Sequence, residues 1–325
     1  MGEYLLKVKD LKKYFVSKGG FFSGPQRVVK AVDGISLQVK EGEILGIVGE
    51  SGCGKSTLGR TILRLIDATE GKIIFDGVEL QSLSREEMRK MRQKMQIIFQ
   101  DPGASLNPRM TVGELIREPL DLFGPELTGQ QQMEKIYSLM DMVGINRSYL
   151  SRFPHEFSGG QRQRIGIARA LAAGPRLVIC DEPVSALDVS VRAQVLNLIN
   201  QLKKSLQLTY IFISHDLSVV HHICSRVAVM YLGRIVELAD KEALYAKPSH
   251  PYTQALLSAI PLPDPANRRN RIILQGDVPN PANPPKGCHF HLRCPYATER
   301  CKTESPVLTE FEPGHFAACH LVNEK

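Results

Sequence analysis

Short apolar runs alternate with amphipathic stretches over residues 4–245 of the chain. Alternating hydrophobic and polar positions predict strands at 4–9 and 28–39, which the Gly-rich segment KGGFFSGPQ separates. The apolar run EILGIV at 43–48 predicts a buried strand that leads directly into the segment GESGCGKST. A helix is expected after that segment, at about 55–66.

A mostly helical pattern occupies about 101–173, and the short apolar strand LVIC follows at 177–180. The next helix carries one apolar stripe that is predicted to face a core, made of Val191, Val195, Leu198, Leu202 and Leu206. The strand YIFIS, the helix DLSVVHHI and the strand RVAVMYL come next. This alternation of strands and helices predicts an α/β fold with a mostly parallel sheet covered on both faces.

The pattern changes after Ile260, so three parts are predicted. Residues 1–260 form the α/β domain, with the stretch at about 101–173 as an inserted helical subdomain. Residues 261–287 hold seven of the twenty prolines, which indicates an irregular linker. Residues 288–325 hold four of the seven cysteines and are expected to form a small irregular tail.

Composition limits the possible partners. The net charge of +7 indicates either a solvated basic surface, which we favour, or an acidic partner or membrane surface. Tryptophan is absent and aromatic residues make up 6% of the chain, so no stacking platform for nucleic acid is expected. No apolar run has the length of a membrane span, and MGEYLLKVKD lacks the hydrophobic core of a signal peptide. We therefore expect a cytoplasmic chain, for which any membrane role would depend on partners.

The segment GESGCGKST fits the phosphate-loop pattern G-x-x-x-x-G-K-[ST] and lies between a predicted strand and a predicted helix. Its glycines let backbone N–H groups approach phosphate oxygens, Lys55 reaches the β and γ phosphates, and the Ser56 hydroxyl binds Mg²⁺. The motif therefore predicts nucleotide binding. The predicted nucleotide-binding residues are Gly49, Glu50, Ser51, Gly52, Cys53, Gly54, Lys55, Ser56 and Thr57.

Polar residues at three strand ends are candidates for the hydrolysis step. Asp181 and Glu182 end the strand LVIC, where paired carboxylates are costly without a cation. Asp181 suits the Mg²⁺ site, and Glu182 suits polarising the attacking water. His215 ends YIFIS and can donate a hydrogen bond to the γ-phosphate. Gln100 ends MQIIF and can sense the same phosphate or its metal.

The segment FSGGQ at 157–161 precedes the helix RQRIGIARAL. Ser158 and Gln161 have the spacing of a capping box. Gly159 and Gly160 are unfavourable within a helix by up to about 1 kcal/mol each, and they permit an anion to approach the helix N-terminus. Because the chain already has one phosphate loop, a second anion site indicates that two chains share each ATP.

These motifs together resemble those of ABC-type ATPases, because the phosphate loop, Gln100, FSGGQ, LVICDE, SALD and His215 occur in the order of that family. The resemblance implies a P-loop fold with an antiparallel β subdomain and an inserted helical subdomain. It also implies that Tyr14 stacks on adenine, that FSGGQ meets the γ-phosphate of the partner chain's ATP, and that Asp188 couples the two sites. Phe157 stands where the family usually has Leu.

Two other classes of protein are compared with this one. Soluble ABC ATPases of DNA repair or translation usually carry two cassettes or a long coiled-coil insertion, and neither is visible in this sequence. A module that binds ATP without hydrolysis would be indicated by an altered Glu182 or His215, and both residues are intact.

Longer segments, among them QDPGASLNPRMTVGELIREPL and HPYTQALLSAIP, resemble the ATP-binding subunits of dipeptide and oligopeptide importers, most closely the F-type subunit. That family implies two membrane permeases, a second and different ATPase chain, and an extracytoplasmic binding protein. It also implies a peripheral position at the cytoplasmic face of the membrane. Nickel and glutathione importers share these motifs, and pairing with an identical chain remains an alternative.

The tail cysteines are Cys288, Cys294, Cys301 and Cys319. Four thiolates match the ligand number of an iron–sulfur cluster or a structural zinc site. The absence of a C-x-x-C pair weakens the zinc interpretation, whereas nearby histidines, each able to replace a thiolate, keep it open. Cysteines without any ligand are the third alternative. The family resemblance implies a [4Fe–4S] cluster.

Overall fold

The computed structural model places the chain in two compact units, each of which is built from segments distant in sequence. The terminal unit comprises Gly2–Val39, Ile44–Glu79 and Ser214–Lys325, and the central unit comprises Lys40–Glu43 and Leu80–Ile213. The structure describes residues 4–17, 28–124, 126–260 and 271–323.

Strands and helices alternate through both units. The strands are β1 (Tyr4–Val16), β2 (Val28–Lys40), β3 (Ile44–Val48), β4 (Glu70–Phe75), β5 (Val78–Glu79), β6 (Met95–Ile98), β7 (Leu177–Asp181), β8 (Thr209–Ser214), β9 (Arg226–Tyr231), β10 (Arg234–Asp240), β11 (Thr309–Glu312) and β12 (His315–Ala317). The α-helices are α1 (Lys55–Ile62), α2 (Arg85–Gln93), α3 (Pro102–Ser105), α4 (Val112–Phe123), α5 (Gly129–Met142), α6 (Gly159–Ala172), α7 (Val189–Leu206), α8 (Leu217–Ile223), α9 (Lys241–Ala246), α10 (Pro251–Ser258), α11 (Glu299–Thr303) and α12 (His320–Asn323).

The terminal unit contains an antiparallel sheet in the order β2-β1-β4-β5. Leu6 lies opposite Phe75 and Val8 opposite Ile73 in this sheet, so the alternating apolar residues of β1 enter a core. Strand β3 pairs in parallel with β9, and β9 pairs antiparallel with β10. Every residue of β3 is buried, as expected for a parallel strand covered on both faces.

The tail is more regular than its sequence indicates. Strand β12 pairs antiparallel with β10, with Ala317 opposite Glu237, and β11 pairs with β12. The buried His315 of β12 lies 2.7 Å from the equally buried Glu237 carboxylate of β10. The backbone of β12 and this polar pair attach the tail to strand β10 of the same unit, and neither contact has a hydrophobic signature in the sequence.

The central unit contains the parallel strands β6, β7 and β8, with Ile179 of β7 opposite Ile97 on one side and Ile211 on the other. The residues between β6 and β7 form α3, α4, α5 and α6. Strands β7 and β8 are buried throughout, which explains their continuous apolar sequences. In the described ranges, no helix has both the length and the apolar composition needed to span a bilayer.

Several elements differ in detail from the sequence prediction. Strand β1 extends to Val16 rather than ending near residue 9. Helix α1 ends at Ile62, and Arg64 adopts a left-handed backbone with φ of 51°. The α7 stripe is buried at Val195, Leu198 and Leu202, but Leu206 is 41% exposed because it is the last residue of the helix. The segment KGGFFSGPQ and residues 261–270 of the predicted linker lie outside the described residues.

Candidate functional site

The phosphate-loop sequence lies between the buried strand β3 and helix α1, as predicted. Gly54 caps α1 with φ of 105°, and a Cβ atom there would lie 2.0 Å from the Ala31 carbonyl oxygen. A Cβ atom on Gly49 would lie 2.1 Å from the Met230 carbonyl oxygen. Only glycine permits these backbone approaches, which place the loop at the helix N-terminus, where partial positive charge favours phosphate.

Lys55 is the first residue of α1, and its side chain is buried within the loop. Its ammonium group donates hydrogen bonds to the carbonyl oxygens of Gly49, at 2.8 Å, and Glu50, at 3.0 Å. A positive charge is therefore held within the loop that is predicted to receive the β and γ phosphates. The buried Cys53 thiol lies 4.0 Å from the Lys55 ammonium, and burial raises the pKa of this thiol.

Glu50 of the loop contacts the cysteine-bearing tail, which sequence reasoning missed. Its carboxylate accepts two hydrogen bonds from the Arg293 guanidinium, at 2.8 and 3.0 Å. The two residues are 243 positions apart. An acidic residue in a phosphate-binding loop was the available signal, because such a charge requires a cationic partner.

Two of the predicted hydrolysis residues meet in the central unit. The Gln100 side-chain amide donates a hydrogen bond of 3.3 Å to the Glu182 carboxylate. Glu182 has a left-handed backbone with φ of 49°, which costs a non-glycine residue roughly 1 kcal/mol. Its N–H donates to the Ile213 carbonyl oxygen at 3.0 Å. Asp181, the last residue of β7, is buried beside Glu182 in sequence.

His215 follows the last residue of β8 and is exposed. The next residue, Asp216, caps α8 by accepting hydrogen bonds from the backbone N–H groups of Ser218 and Val219. The imidazole therefore lies at the carboxyl end of a buried strand, where ligands of α/β sheets commonly bind.

Ser158 caps α6 in the predicted capping box with Gln161, at 3.4 Å and 3.0 Å. A Cβ atom on Gly160 would lie 2.2 Å from a methyl group of Val191 in α7, so Gly160 is required by helix packing. A Cβ atom on Gly159 would meet its nearest atom at an ordinary 3.5 Å. The sequence argument for anion approach therefore depends on Gly159 more than on Gly160.

Asp188 is the N-cap of α7. Its carboxylate accepts hydrogen bonds from the Val191 N–H, at 2.9 Å, and from the Ser190 hydroxyl, at 2.7 Å. These two bonds, first that from Val191, lower the pKa of the carboxyl. The local role of Asp188 is thus helix capping, and its predicted role between two chains stays a prediction.

Tyr14 has a polar partner within the terminal unit. Its hydroxyl donates to the Asp33 carboxylate, which also accepts two hydrogen bonds from Arg234, at 2.9 and 2.7 Å. Burial and the bond to Asp33 raise the pKa of the Tyr14 hydroxyl. The Tyr14 ring lines a cavity of about 510 Å³ that His289 also lines. Phe15, the next residue of β1, is 44% exposed.

The four tail cysteines are free, and Cys301 and Cys319 are buried. Burial raises the pKa of Cys288 to about 11, and the other three thiols contribute to this rise. Among the described residues, however, no three His, Cys, Asp or Glu side chains form a group that could hold a metal ion.

Comparison with protein families gives two matches along the chain. Residues 32–185 match the family described as ABC transporter. Residues 236–301 match the family described as oligopeptide/dipeptide transporter, C-terminal region. The second match includes Cys288, Cys294 and Cys301.

Comparison with individual proteins agrees with these two family matches. The chain is 55% identical to the oligopeptide transport ATP-binding protein AppF of Bacillus subtilis, over 98% of each chain. The structure of cbiO1 from Clostridium perfringens, described as part of the ABC transporter complex cbiONQ, superposes with a TM-score of 0.64 and 28% identity, over 76% of this chain and 92% of that one. The ATP-binding cassette MJ0796, solved as a post-hydrolysis dimer bound to ADP and Pi, gives a TM-score of 0.64 and 27% identity, over 73% and 98%.

Proposed function

Because this chain belongs to the ABC transporter family of ATP-binding proteins, we propose that it is the ATP-hydrolysing subunit of an importer for dipeptides or oligopeptides. Chains of this family bind and hydrolyse ATP. The observation that carries the peptide assignment is the match to the C-terminal region of oligopeptide and dipeptide transporters, together with near full-length identity to an oligopeptide transport protein.

The ATP-binding residues divide into phosphate holders and metal holders. Lys55 contacts the β and γ phosphates, with the loop backbone around it. Ser56, Gln100 and Asp181 hold Mg²⁺, and their hydroxyl, amide and carboxylate oxygens are the donors that this ion prefers. Bound Mg²⁺ neutralises charge on the phosphates. The buried position of Asp181 at the end of β7 supports this assignment, because a buried carboxylate is stabilised by a cation.

Hydrolysis depends on two further residues. Glu182 polarises the attacking water, and His215 donates a hydrogen bond to the γ-phosphate. The hydrogen bond from Gln100 orients the Glu182 carboxylate, and the strained Glu182 backbone supports a functional role, because such strain is concentrated at active sites.

A dimer completes each site. The residues Ser158, Gly159, Gly160 and Gln161 contact the γ-phosphate of the ATP bound to the facing chain, and Asp188 couples the two sites. The dimeric cassette MJ0796 with ADP and Pi supports this arrangement. ATP binding closes the dimer, and hydrolysis with product release reopens it.

The membrane partners follow from the family. Two permease subunits form the path, a second ATPase chain pairs with this one, and an extracytoplasmic binding protein delivers the solute. The chain is a peripheral protein at the cytoplasmic face of the membrane. If no second ATPase chain exists, two copies of this chain form the dimer.

Uptake in cells tests this function. A strain lacking the chain should fail to take up labelled di- and tripeptides, and expression of the wild-type chain should restore uptake whereas Glu182→Gln should not. Labelled nickel and glutathione are the comparison solutes. If the strain still takes up peptides but no longer takes up nickel or glutathione, the transported solute is nickel or glutathione rather than a peptide. Unchanged uptake of all these solutes would instead favour a soluble ABC ATPase.

We further propose that Cys288, Cys294, Cys301 and Cys319 of the tail 288–325, beyond the linker 261–287, bind a [4Fe–4S] cluster. Four thiols within one short segment supply the ligand number and chemistry of such a cluster. No three of them already form a ligating group, so loading requires the side chains to converge. The cluster would then stabilise a small segment.

Contacts of three tail histidines favour thiolates over imidazole ligands, and thus iron–sulfur over zinc. His315 is bound to Glu237, and His320 contacts the Glu304 carbonyl oxygen at 3.0 Å. The Nδ1 atom of His291 lies 2.8 Å from the Cys288 carbonyl oxygen. Each of these three imidazoles thus has a structural partner in the protein, whereas the buried Nδ1 atom of His289 has no hydrogen-bond partner among the described residues. Zinc remains the alternative metal for the four thiolates.

A further inference from the structure

The N–H, carbonyl and carboxylate groups of Glu50 all make hydrogen bonds within the protein, although this residue lies in the phosphate loop. Its N–H donates to the Tyr252 hydroxyl at 2.9 Å, and its carbonyl oxygen accepts from the Lys55 ammonium at 3.0 Å. Its carboxylate accepts the two bonds from Arg293 at 2.8 and 3.0 Å. Two of these contacts come from the C-terminal part of the terminal unit.

Arg293 reaches the loop from the cysteine-bearing segment. It ends the short 3-10 helix His291–Arg293, immediately before Cys294. Its side chain is 8% exposed, whereas that of Glu50 is 26% exposed. The bidentate pairing with Glu50 raises the pKa of the guanidinium further above its ordinary value. Such pairs combine charge neutralisation with a defined geometry.

An aromatic cluster lies beside this ion pair. The Arg293 guanidinium lies 6.0 Å from the centre of the Tyr231 ring. The Phe290 ring packs at 5.3 Å against Tyr231 and at 5.5 Å against Tyr252. Because both charged side chains are mostly buried, loss of one partner would leave the other poorly solvated.

The charge of Glu50 opposes the function of its own loop. A carboxylate in a phosphate-binding loop repels the phosphates of ATP unless a cation neutralises it. Lys55 is directed to the backbone of the loop, and the contact to the Glu50 carboxylate comes from Arg293. We propose that Arg293 is a positioning residue for ATP, which neutralises and orients Glu50 and so makes nucleotide affinity depend on the folded cysteine-bearing segment.

This inference rests on ATP binding by the loop and does not depend on peptide import. Affinity for ATP is measured on the purified full-length chain by titration calorimetry, and thermal unfolding verifies that each variant is folded. Arg293→Ala should weaken ATP binding roughly tenfold or more, as truncation of a buried charge pair does. Arg293→Lys should weaken it less, because the charge remains. The matched control is Arg300→Ala, which removes an exposed tail arginine paired with Glu304 and should bind ATP like the wild type.

The double variant Glu50→Gln/Arg293→Ala separates charge from packing. Removing both charges should restore affinity to within about threefold of the wild type, since the unpaired carboxylate is gone. A purely structural role of Arg293 predicts no such rescue. Wild-type affinity of folded Arg293→Ala, or a double variant as weak as Arg293→Ala, would overturn the inference. Failure of the wild-type chain to bind ATP would instead overturn the proposed function.

Discussion

The Gln100 amide and the Glu182 carboxylate form a hydrogen bond of 3.3 Å between residues 82 positions apart. The bond joins the end of β6 to the end of β7, two strands that pair in parallel. Parallel strands bring their carboxyl ends to one edge of the sheet, which is why residues from different motifs meet there.

Changing Gln100 to Glu should shift the pH dependence of ATP hydrolysis. Two neighbouring carboxylates disfavour ionisation of both groups, so one of the pair should hold a proton at higher pH than an isolated carboxyl does. Since the base acts when deprotonated, the acidic limb of the kcat profile should move to higher pH. The control is Gln96→Glu on β6, the strand that precedes Gln100, because the Gln96 amide contacts the Arg92 carbonyl oxygen instead. An unshifted pH profile of Gln100→Glu would show that residue 100 does not influence Glu182 during hydrolysis.

Two adjacent aromatic residues of β1 are candidates for the adenine contact. Tyr14 is bound to Asp33, and Phe15 is exposed and directed to the other face of the strand. Tyr14 is the proposed adenine contact, so Tyr14→Ala should weaken ATP binding by about 1–3 kcal/mol, the range of base–aromatic stacking. Tyr14→Phe keeps the ring, so it should lower the unfolding temperature and leave ATP affinity unchanged. The opposite pattern in nucleotide titrations, with weakened binding by Phe15→Ala and normal binding by Tyr14→Ala, would assign the adenine contact to Phe15.

Hydrolysis should require two facing chains. Specific ATPase activity of the isolated chain should rise with protein concentration, because a monomer lacks the facing Ser158 segment. Ser158→Ala should lower kcat more than ATP affinity. Its control is Ser84→Ala, which removes a comparable capping box from α2 and costs about 1 kcal/mol of stability without touching nucleotide. Equal loss of kcat in both variants, or full activity of a strict monomer, would contradict the shared site.

Anaerobically purified protein should be brown and contain iron with acid-labile sulfide. Replacing Cys288, Cys294, Cys301 or Cys319 singly with Ser should reduce the colour and the iron content. Cys224→Ser, a buried cysteine distant in sequence from the tail, is the control and should retain the iron. Colourless protein with one zinc per chain would show that the tail binds zinc instead of a cluster. Metal-free protein with an ordered tail would exclude both the cluster and the zinc site.

The sequence predicted the elements whose signal is local. The buried strands β3 and β7, the capping box at Ser158, and the phosphate loop all follow from short patterns, and the structure confirms them. Long-range contacts carry no such pattern. The pair Glu50–Arg293 depends on the tail returning to the loop.

Contacts that depend on close packing were also not predicted from the sequence. Gly160 was predicted to permit the approach of an anion, and the structure adds a second requirement for glycine there, because Val191 of α7 occupies the space of a Cβ atom. The strand β12 was missed because its three residues form no alternating run and gain their place by pairing with β10. Such features depend on which elements become neighbours, which a single sequence does not specify.

Single-turnover hydrolysis by Glu182→Gln tests the central claim most directly. Glutamine keeps the size of the side chain and its contact with Gln100 but cannot act as a base. The variant should bind ATP at least as tightly as the wild type and accumulate as a closed dimer. Its hydrolysis rate, measured with excess enzyme over labelled ATP, should fall by roughly a hundredfold or more. Release of phosphate at the wild-type rate would contradict the account of this chain as an ATP-driven motor with Glu182 as its catalytic base.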